Sequence, residues 1–271
     1  MKYPIGFQIS ADQANSSEQE CLPPVRSDEP IKSVVRVAFP DRHMTLSYYN
    51  DTFDLHKGDI VYVDGKLEGM RGYVVDVSYT FKIKLSDYKR VIAKADTDVH
   101  GEFCLAGSHF VTFDRNALPP SKAITWFRAP LKEEDIFVSG SDNSSFLLSD
   151  LKGMKVSPEI AERGHDYYTE NRVRYLSLDG TTGYAIVEGG ETYEVEFTYM
   201  NGEISGLVCN CYCSYPCKHQ VAAMLQLRET LELIEKHFAS KYKQDGFFAA
   251  VHKGTLFSLV VDRKESGGFI L

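Results

Sequence analysis

Residues 206–225, GLVCNCYCSYPCKHQVAAML, place four of the chain's six cysteines and one histidine within eleven positions, directly before an apolar run. Residues two apart in an extended strand point to the same side, so Cys209 and Cys211 can direct both sulfurs at one ion. Cys217 and His219 follow a tight turn and supply a third sulfur and an imidazole nitrogen. Zinc accepts such a set of three thiolates and one neutral histidine in tetrahedral geometry. The spacing therefore predicts a Zn²⁺ site formed by Cys209, Cys211, Cys217 and His219.

Protein ligands fill all four positions of this predicted site. A closed ligand shell leaves no place for an activated water, so the ion is expected to hold structure and not to catalyse hydrolysis. The sequence also lacks the patterns GxxxxGK[ST], HExxH and GxSxG, which are typical of phosphate-binding loops, metalloproteases and serine hydrolases. We therefore expect no enzyme activity and no catalytic residues.

Cys213 opens an alternative ligand set of Cys211, Cys213, Cys217 and His219, in which the intervening loop shortens to three residues. We favour the longer loop because three residues would have to reverse the chain while delivering ligands from both ends in tetrahedral geometry. A further alternative is disulfide exchange by a Cys-x-Cys pair. Thiolates with a histidine partner fit zinc better than redox catalysis.

The sequence on both sides of the cysteines predicts an antiparallel meander followed by a helix. The segments RVRYLSL, GYAIVEG, TYEVEFTYM and EISGLVC alternate apolar and polar residues and are joined at glycine-containing turns. Upstream, Ser157 is a candidate N-cap with Pro158 at the first helical position, which predicts a short helix over SPEIAERGHDYYTE. After the cysteines, apolar residues recur at helical spacing and predict one amphipathic helix. The tail FFAAVHKGTLFSLVVDRKESGGFIL supplies two further strand candidates.

The pattern Cys209-x-Cys211, five residues, Cys217-x-His219 and an apolar helix resembles the SWIM zinc finger. The upstream stretches ERGHDYYTENRV and YAIVEGGETYEVEF are similar to the helix and hairpins that precede the finger in bacterial SWIM proteins, including those attached to SNF2-type helicases. The resemblance covers roughly residues 155–240. It implies a zinc ion on these four ligands and binding of DNA or protein. No helicase motor accompanies the finger in this sequence, so a remodelling role is not implied.

The rest of the chain predicts an α+β protein of two parts. Residues 1–33 read as a flexible polar segment, and short β-branched and aromatic runs across 34–113 predict a β-rich, barrel-like domain. Residues 114–150 carry prolines and a small-residue run that predict a linker. Residues 151–271 are then the meander, the zinc finger, its helix and the C-terminal strands. Trp126 is expected to pack between the two domains.

Composition limits the partners. The formal net charge of −8 makes the whole surface a poor polyanion binder, so any nucleic-acid site must be local. Five basic and three acidic residues between Leu207 and Lys243 suggest such a site at the finger. Its candidate contacts, where aromatic rings can stack on bases, are Lys218, Tyr212, Tyr215 and Arg228.

We therefore predict weak nucleic-acid binding within a larger DNA-handling assembly. The alternative is a protein-protein adaptor whose zinc is purely structural, since an acidic surface attracts basic partners. The sequence has no apolar run long enough to span a bilayer, which predicts a cytoplasmic protein with no membrane partner. The oligomeric state stays open.

Overall fold

A computed structural model describes residues 32–132, 144–213 and 216–261. The strands are β1 (Ser33–Phe39), β2 (Met44–Asn50), β3 (Ile60–Val63), β4 (Gly72–Ser78), β5 (Val91–Lys94), β6 (Cys104–Ala106), β7 (His109–Thr112), β8 (Ser145–Leu147), β9 (Val173–Asp179), β10 (Thr182–Glu188), β11 (Thr192–Met200), β12 (Glu203–Cys209) and β13 (Phe247–His252). The helices are α1 (Pro120–Ile124), α2 (Pro158–Thr169), α3 (Lys218–Asp245) and α4 (Lys253–Leu256), the last continuing as a π-helical turn over Phe257–Val261. The chain is thus a mixed α+β protein, as predicted. The segment 1–31, most of the predicted flexible N-terminus, lies outside the described residues.

The first five strands form an antiparallel sheet in the order β2-β1-β4-β3-β5. Its inner face buries Val35, Val37 and Phe39 of β1 at every second position, as expected for a strand with one face on a core. Among the described residues, one isolated backbone bridge, between Tyr49 and Arg90, links the two edges of this sheet, and there the Tyr49 N–H donates to the Lys89 carbonyl. The sheet therefore curls but does not close. The expectation of a barrel is corrected to an open, curled sheet, because one bridge is not a continuous ladder.

The second sheet has eight strands in the order β6-β7-β13-β9-β10-β11-β12-β8. Its centre is the predicted meander, in which β9 to β12 are neighbours in chain order. Two strands from before residue 113 join this sheet, because β7 pairs with β13 from Ala249↔Thr112 to His252↔His109. The 34–113 segment thus contributes strands to both sheets. The division into domains at 34–113, 114–150 and 151–271 stays a prediction.

Both faces of the eight-stranded sheet are buried, each against different elements. On β13, Phe248 and Ala250 join a core with Val221 and other residues of α3, whereas Phe247, Ala249 and Val251 face a second core that contains Trp126. Successive side chains of a strand point to opposite faces, so one apolar run can serve two cores. This explains why FFAAV is apolar without alternation.

Trp126 lies in a core to which both sheets contribute. Its expected place between two domains stays a prediction, as does the domain division. Its ring is fully buried in a core with Ile60 of β3 and Tyr175 of β9, and its Nε1–H donates to the Asp96 carbonyl at 2.6 Å. The Tyr62 hydroxyl of the first sheet donates to the neighbouring Thr125 carbonyl at 3.0 Å. The part of the predicted linker that the structure describes therefore includes buried residues that join the sheets.

In the described part of the C-terminal tail, β13 is the one strand that forms, and the stretch LFSLVV, which has the composition of a strand, is helical. Residues 262–271 of the tail lie outside the described residues. After β13 the chain turns into α4 and the π-helical turn, where Leu256, Leu259 and Val260 are buried in the core around Trp126. Their spacing of three and four residues is typical of a helix, but the apolar and β-branched residues of LFSLVV also fit a buried strand. Within the described residues, none of the helices combines the length and the apolarity needed to cross a membrane.

Candidate metal centre

The four predicted ligands lie where strand β12 ends and helix α3 begins. Cys209 is the last residue of β12, and Cys211 follows it after one residue. Cys217 is the N-cap of α3, and His219 lies in the first turn of that helix. Asn210 fixes the end of the strand, since its backbone N–H donates to the Glu194 carbonyl at 3.1 Å and its Oδ1 accepts from the Glu194 N–H at 2.9 Å. The end of β12 with the residues that follow it, and the start of α3 with its N-cap, thus deliver two ligands each.

The ligand atoms of Cys209, Cys211, Cys217 and His219 all lie within 4.8 Å of one another. The Nδ1 atom of His219 is 3.8 Å from the sulfur of Cys209 and 3.7 Å from that of Cys217. A tetrahedral ion with metal–sulfur and metal–nitrogen bonds of about 2.3 and 2.0 Å places neighbouring ligand atoms about 3.5–3.8 Å apart. The chemistry of the donors and their separation therefore fit a metal ion.

The centre is closed to solvent on the helix side, where Cys217 and His219 are each 3% exposed, and Cys211 is 7% exposed. Cys213 is exposed and lies outside the group. The structure thus assembles the longer-loop ligand set and leaves the alternative set with Cys213 unassembled.

Proton affinities within the cluster differ because the sulfurs share hydrogen bonds. The pKa of Cys217 is lowered to about 4, first because its thiolate accepts a hydrogen bond from the Cys209 thiol and also because it faces His219. The same hydrogen bond, together with burial, raises the pKa of Cys209, and burial raises that of Cys211 to about 11. Protons thus remain on the sulfurs of Cys209 and Cys211, and a bound cation would have to displace them.

His219 is held by aromatic rings. Its imidazole stacks on Tyr193 with a centroid distance of 3.8 Å and an interplanar angle of 15°. The Tyr167 ring lies beside it at a centroid distance of 5.5 Å, tilted by 58°. The Nε2 atom is buried and has no hydrogen-bond partner among the described residues. Ring packing, rather than a hydrogen bond to a second group, therefore orients this ligand in the described part of the chain.

Gln220 ties the helix start to the strand. Its Oε1 accepts from the Cys217 backbone N–H at 2.7 Å, and its Nε2 donates to the Leu207 carbonyl of β12 at 3.0 Å. The Gln220 N–H in turn faces the Cys217 sulfur, which completes a capping box with cysteine in the place of serine.

Helix α2 lies directly against the first turns of α3. A Cβ atom on Gly164 would lie 2.4 Å from the Val221 Cβ and 3.1 Å from the Lys218 carbonyl oxygen. Only glycine therefore permits this close approach without a shift of one helix.

Sequence reasoning missed Tyr167, Tyr193, Gln220 and Gly164 as parts of the centre. One signal was available, because Cys217-x-x-Gln220 has the three-residue spacing of a capping box. The tyrosines lie in the quoted stretches ERGHDYYTENRV and YAIVEGGETYEVEF, but nothing local distinguishes them from ordinary core aromatics.

The proposed nucleic-acid contacts are not all brought together. Tyr212 is 95% exposed on the ligand loop, and the Lys218 Nζ lies 4.5 Å above the centroid of Tyr167. Arg228 lies ten residues further along α3, about 15 Å at 1.5 Å per residue. Its charge is accompanied by those of Glu229 and Glu232, since all three influence the pKa of Tyr168. Tyr215 lies outside the described residues.

Two of the five basic residues counted between Leu207 and Lys243 lie away from the candidate metal centre. Lys241 pairs with Glu102 at 2.6 Å and Lys243 with Glu235 at 3.8 Å. Both lysines lie near the C-terminal end of α3, beyond a kink at Phe238, whereas Lys218 is its first residue. Arg172 lies closer to Lys218 than these lysines do, because its Cζ is 4.8 Å from the centroid of Tyr167, the ring that Lys218 also contacts. Arg172 itself pairs with Glu170.

Comparisons with known proteins add little to this picture. The chain is 35% identical over 69 residues to "Uncharacterized protein MJ1493" of Methanocaldococcus jannaschii. The aligned residues make up 26% of this chain and 29% of that relative. The chain therefore spans less than a third of the length of the curated relative that it matches. No family model matches the chain, so no match supports the SWIM resemblance. No solved structure matches it either.

Proposed function

We propose that this chain is a zinc-binding module in which Cys209, Cys211, Cys217 and His219 bind one structural Zn²⁺ ion. The observation that carries the proposal is the convergence of three sulfurs and one imidazole nitrogen within 4.8 Å at a largely buried place. A ligand set of sulfur and nitrogen in tetrahedral arrangement selects zinc over magnesium or calcium, which take oxygen ligands. With four protein ligands the ion has no open position, so we assign it no catalytic role.

The zinc would join β12 to α3 across the loop that begins after Cys209. Zinc binding supplies on the order of 10 kcal/mol to the folding of small thiolate sites at neutral pH. We therefore expect the ion to determine whether this loop and the first turns of α3 are ordered.

For the function of the module, we favour weak binding of nucleic acid as part of a larger DNA-handling assembly. The supporting observation is the 95% exposure of Tyr212 on the ligand loop, close in sequence to Lys218 at the start of α3. An exposed aromatic ring can stack on a base, and a nearby ammonium can contact a phosphate. The few cations here support weak and salt-sensitive binding without base-specific readout.

A protein-protein adaptor is the second candidate. Strand β2 forms an edge of the five-stranded sheet, and its Met44 and Leu46 side chains are 41% and 42% exposed. Edge strands with exposed apolar side chains are places where a second chain can add a strand. In that case the zinc would serve structure alone.

Elemental analysis of protein purified without added metal tests the zinc site. We expect one zinc per chain, a large loss of affinity in Cys209→Ser, and parent-like zinc content in Cys213→Ser and in Cys104→Ser, a control cysteine distant in sequence. A chain without metal would overturn the proposal, and a greater loss in Cys213→Ser than in Cys209→Ser would assign the other ligand set.

Retention on single-stranded DNA over a salt gradient separates the two functions. Nucleic-acid binding predicts a log–log slope of about −1 to −3, at about −0.7 per phosphate contacted on a single strand. An apolar protein interface predicts no retention even at low salt, and that result favours the adaptor.

A further inference from the structure

A cleft of about 290 Å³ lies where the two sheets meet. The first sheet lines it with Tyr73 of β4 and the preceding Arg71, and the second with Arg174 of β9, Glu188 of β10 and His252 of β13. The cleft is separate from the four cysteine and histidine ligands, none of which lines it.

Two arginines in this cleft share one carboxylate. The Nε–H of Arg174 donates to Oε2 of Glu188 at 2.8 Å, and Arg71 donates to the other oxygen, Oε1, at a long 3.4 Å. Arg71 also donates to the Trp126 carbonyl at 3.3 Å. Both contacts of Arg71 are near the upper limit for a hydrogen bond, so this guanidinium is held loosely.

His252 adds no charge to the cleft. Arg174 donates to its Nδ1 atom at 3.3 Å, a contact that needs a neutral imidazole with that nitrogen as acceptor. Burial, with Arg174 and Lys253 nearby, lowers the pKa of His252 and keeps the ring neutral. The three charged side chains that line the cleft, Arg71, Arg174 and Glu188, therefore sum to +1, on a chain whose formal net charge is −8.

The two guanidiniums remain accessible. The Arg71 side chain is 30% exposed and that of Arg174 is 25% exposed. Each guanidinium has five N–H donors in a planar fork that matches the oxygens of a carboxylate or a phosphate. The hydrogen bonds described above use two donors of Arg71 and two of Arg174.

We propose that this cleft binds a small molecule that carries an oxyanion group, a carboxylate or a phosphate monoester, between Arg71 and Arg174. The anion takes guanidinium donors that Glu188 leaves free, and the Tyr73 and Phe127 side chains at the cleft contact the apolar part of the molecule. A volume of about 290 Å³ admits one ring together with its anionic group. The proposal does not depend on the zinc site or on nucleic-acid binding.

Calorimetric titration of the zinc-loaded full chain with inorganic phosphate, phenyl phosphate and benzoate tests this inference. We expect phenyl phosphate or benzoate to bind more tightly than inorganic phosphate, and the stronger of the two identifies the oxyanion. Arg71→Gln should weaken binding by about tenfold or more, the usual effect of removing a hydrogen bond to a charged group. Glu188→Gln should strengthen it, because the amide keeps an acceptor for arginine and removes the competing negative charge.

Arg115→Gln is the matched control, since this exposed arginine pairs with Asp179 and does not line the cleft. It should bind all three probes as the parent does. Zinc content and the urea midpoint of each variant report whether it is folded. No binding of any probe by the parent up to about 10 mM would overturn the proposal, as would equal weakening in Arg71→Gln and Arg115→Gln or weaker binding in a folded Glu188→Gln.

Discussion

His219 lies face to face with Tyr193, with ring centroids 3.8 Å apart and planes 15° from parallel. The stack holds a candidate zinc ligand whose Nε2 atom finds no hydrogen-bond partner among the described residues. Groups that orient a metal ligand usually change metal affinity by about 10- to 100-fold when removed. Strand β11 thus contributes to the centre without supplying a ligand.

Tyr193→Ala should therefore lower zinc affinity by about tenfold, measured by competition with a chromophoric chelator. Tyr193→Phe keeps the ring and is the matched control, so its affinity should equal that of the parent. Equal losses in the two variants would show that the hydroxyl, and not the stack, supports His219.

Gly164→Ala should destabilise the chain by about 1–3 kcal/mol, as overpacking does in well-packed interiors. The added methyl would lie 2.4 Å from the Val221 Cβ, and this clash outweighs the gain of about 1 kcal/mol that alanine brings to a helix interior. Urea unfolding measures the change.

Gly190→Ala is the control for that experiment, because a Cβ atom at Gly190 meets nothing within 4 Å. It should leave the urea midpoint nearly unchanged. A Gly164→Ala variant as stable as the parent would mean that α2 and α3 can separate without cost.

The chain should lose stability as the pH falls from about 6.5 to 4, in part because of His109. Burial lowers the pKa of this histidine to about 4, and the nearby His252 and Arg174 act in the same direction. The unfolded chain then binds more protons than the folded chain over this interval, so the free energy of unfolding decreases by about 3 kcal/mol for a group with an ordinary pKa of 6.5.

His109→Gln should flatten this part of the pH dependence, measured by urea unfolding at a series of pH values. Because zinc release also destabilises at low pH, the informative quantity is the difference between variant and parent. His165→Gln, on the exposed side of α2, should retain the parental slope. A parental slope in His109→Gln would contradict the prediction.

Tyr212→Ala and Lys218→Ala should each weaken retention on single-stranded DNA, the first by about tenfold if its ring stacks on one base. Arg228→Ala should bind as the parent does, because Arg228 lies about 15 Å further along α3. All variants should keep their zinc. Retention that depends on Arg228 but not on Lys218 would place the contact surface elsewhere.

Much of the region around the ligands could be predicted from the sequence because the signals there are local. The Ser157 hydroxyl accepts from the Ile160 N–H at the start of α2, and β12 leads into the ligand loop and α3 as the spacing indicated. Cap residues, two-residue turns and Cys-x-Cys spacing act within a few positions, so they are legible without the fold.

The remainder depends on contacts between distant parts of the chain. Nothing near His109 indicates that its strand pairs with residue His252, and nothing near Arg172 indicates that it shares the Tyr167 ring with Lys218. Arg228 was predicted as a contact because it is near the cysteines in sequence. In a helix, however, ten residues separate two side chains by about 15 Å, so Arg228 does not lie beside Lys218.

The interior place of β13 in the eight-stranded sheet constrains how the chain can fold while it is being synthesised. This strand lies between β7 and β9. Both of these strands precede β13 in the sequence and are therefore synthesised before it. Until residue Phe247 emerges, β7 and β9 each present an unpaired edge, and such edges favour pairing with other chains. The eight-stranded sheet can therefore be completed only after β13 has been synthesised, although its other seven strands precede β13 by more than thirty residues of chain.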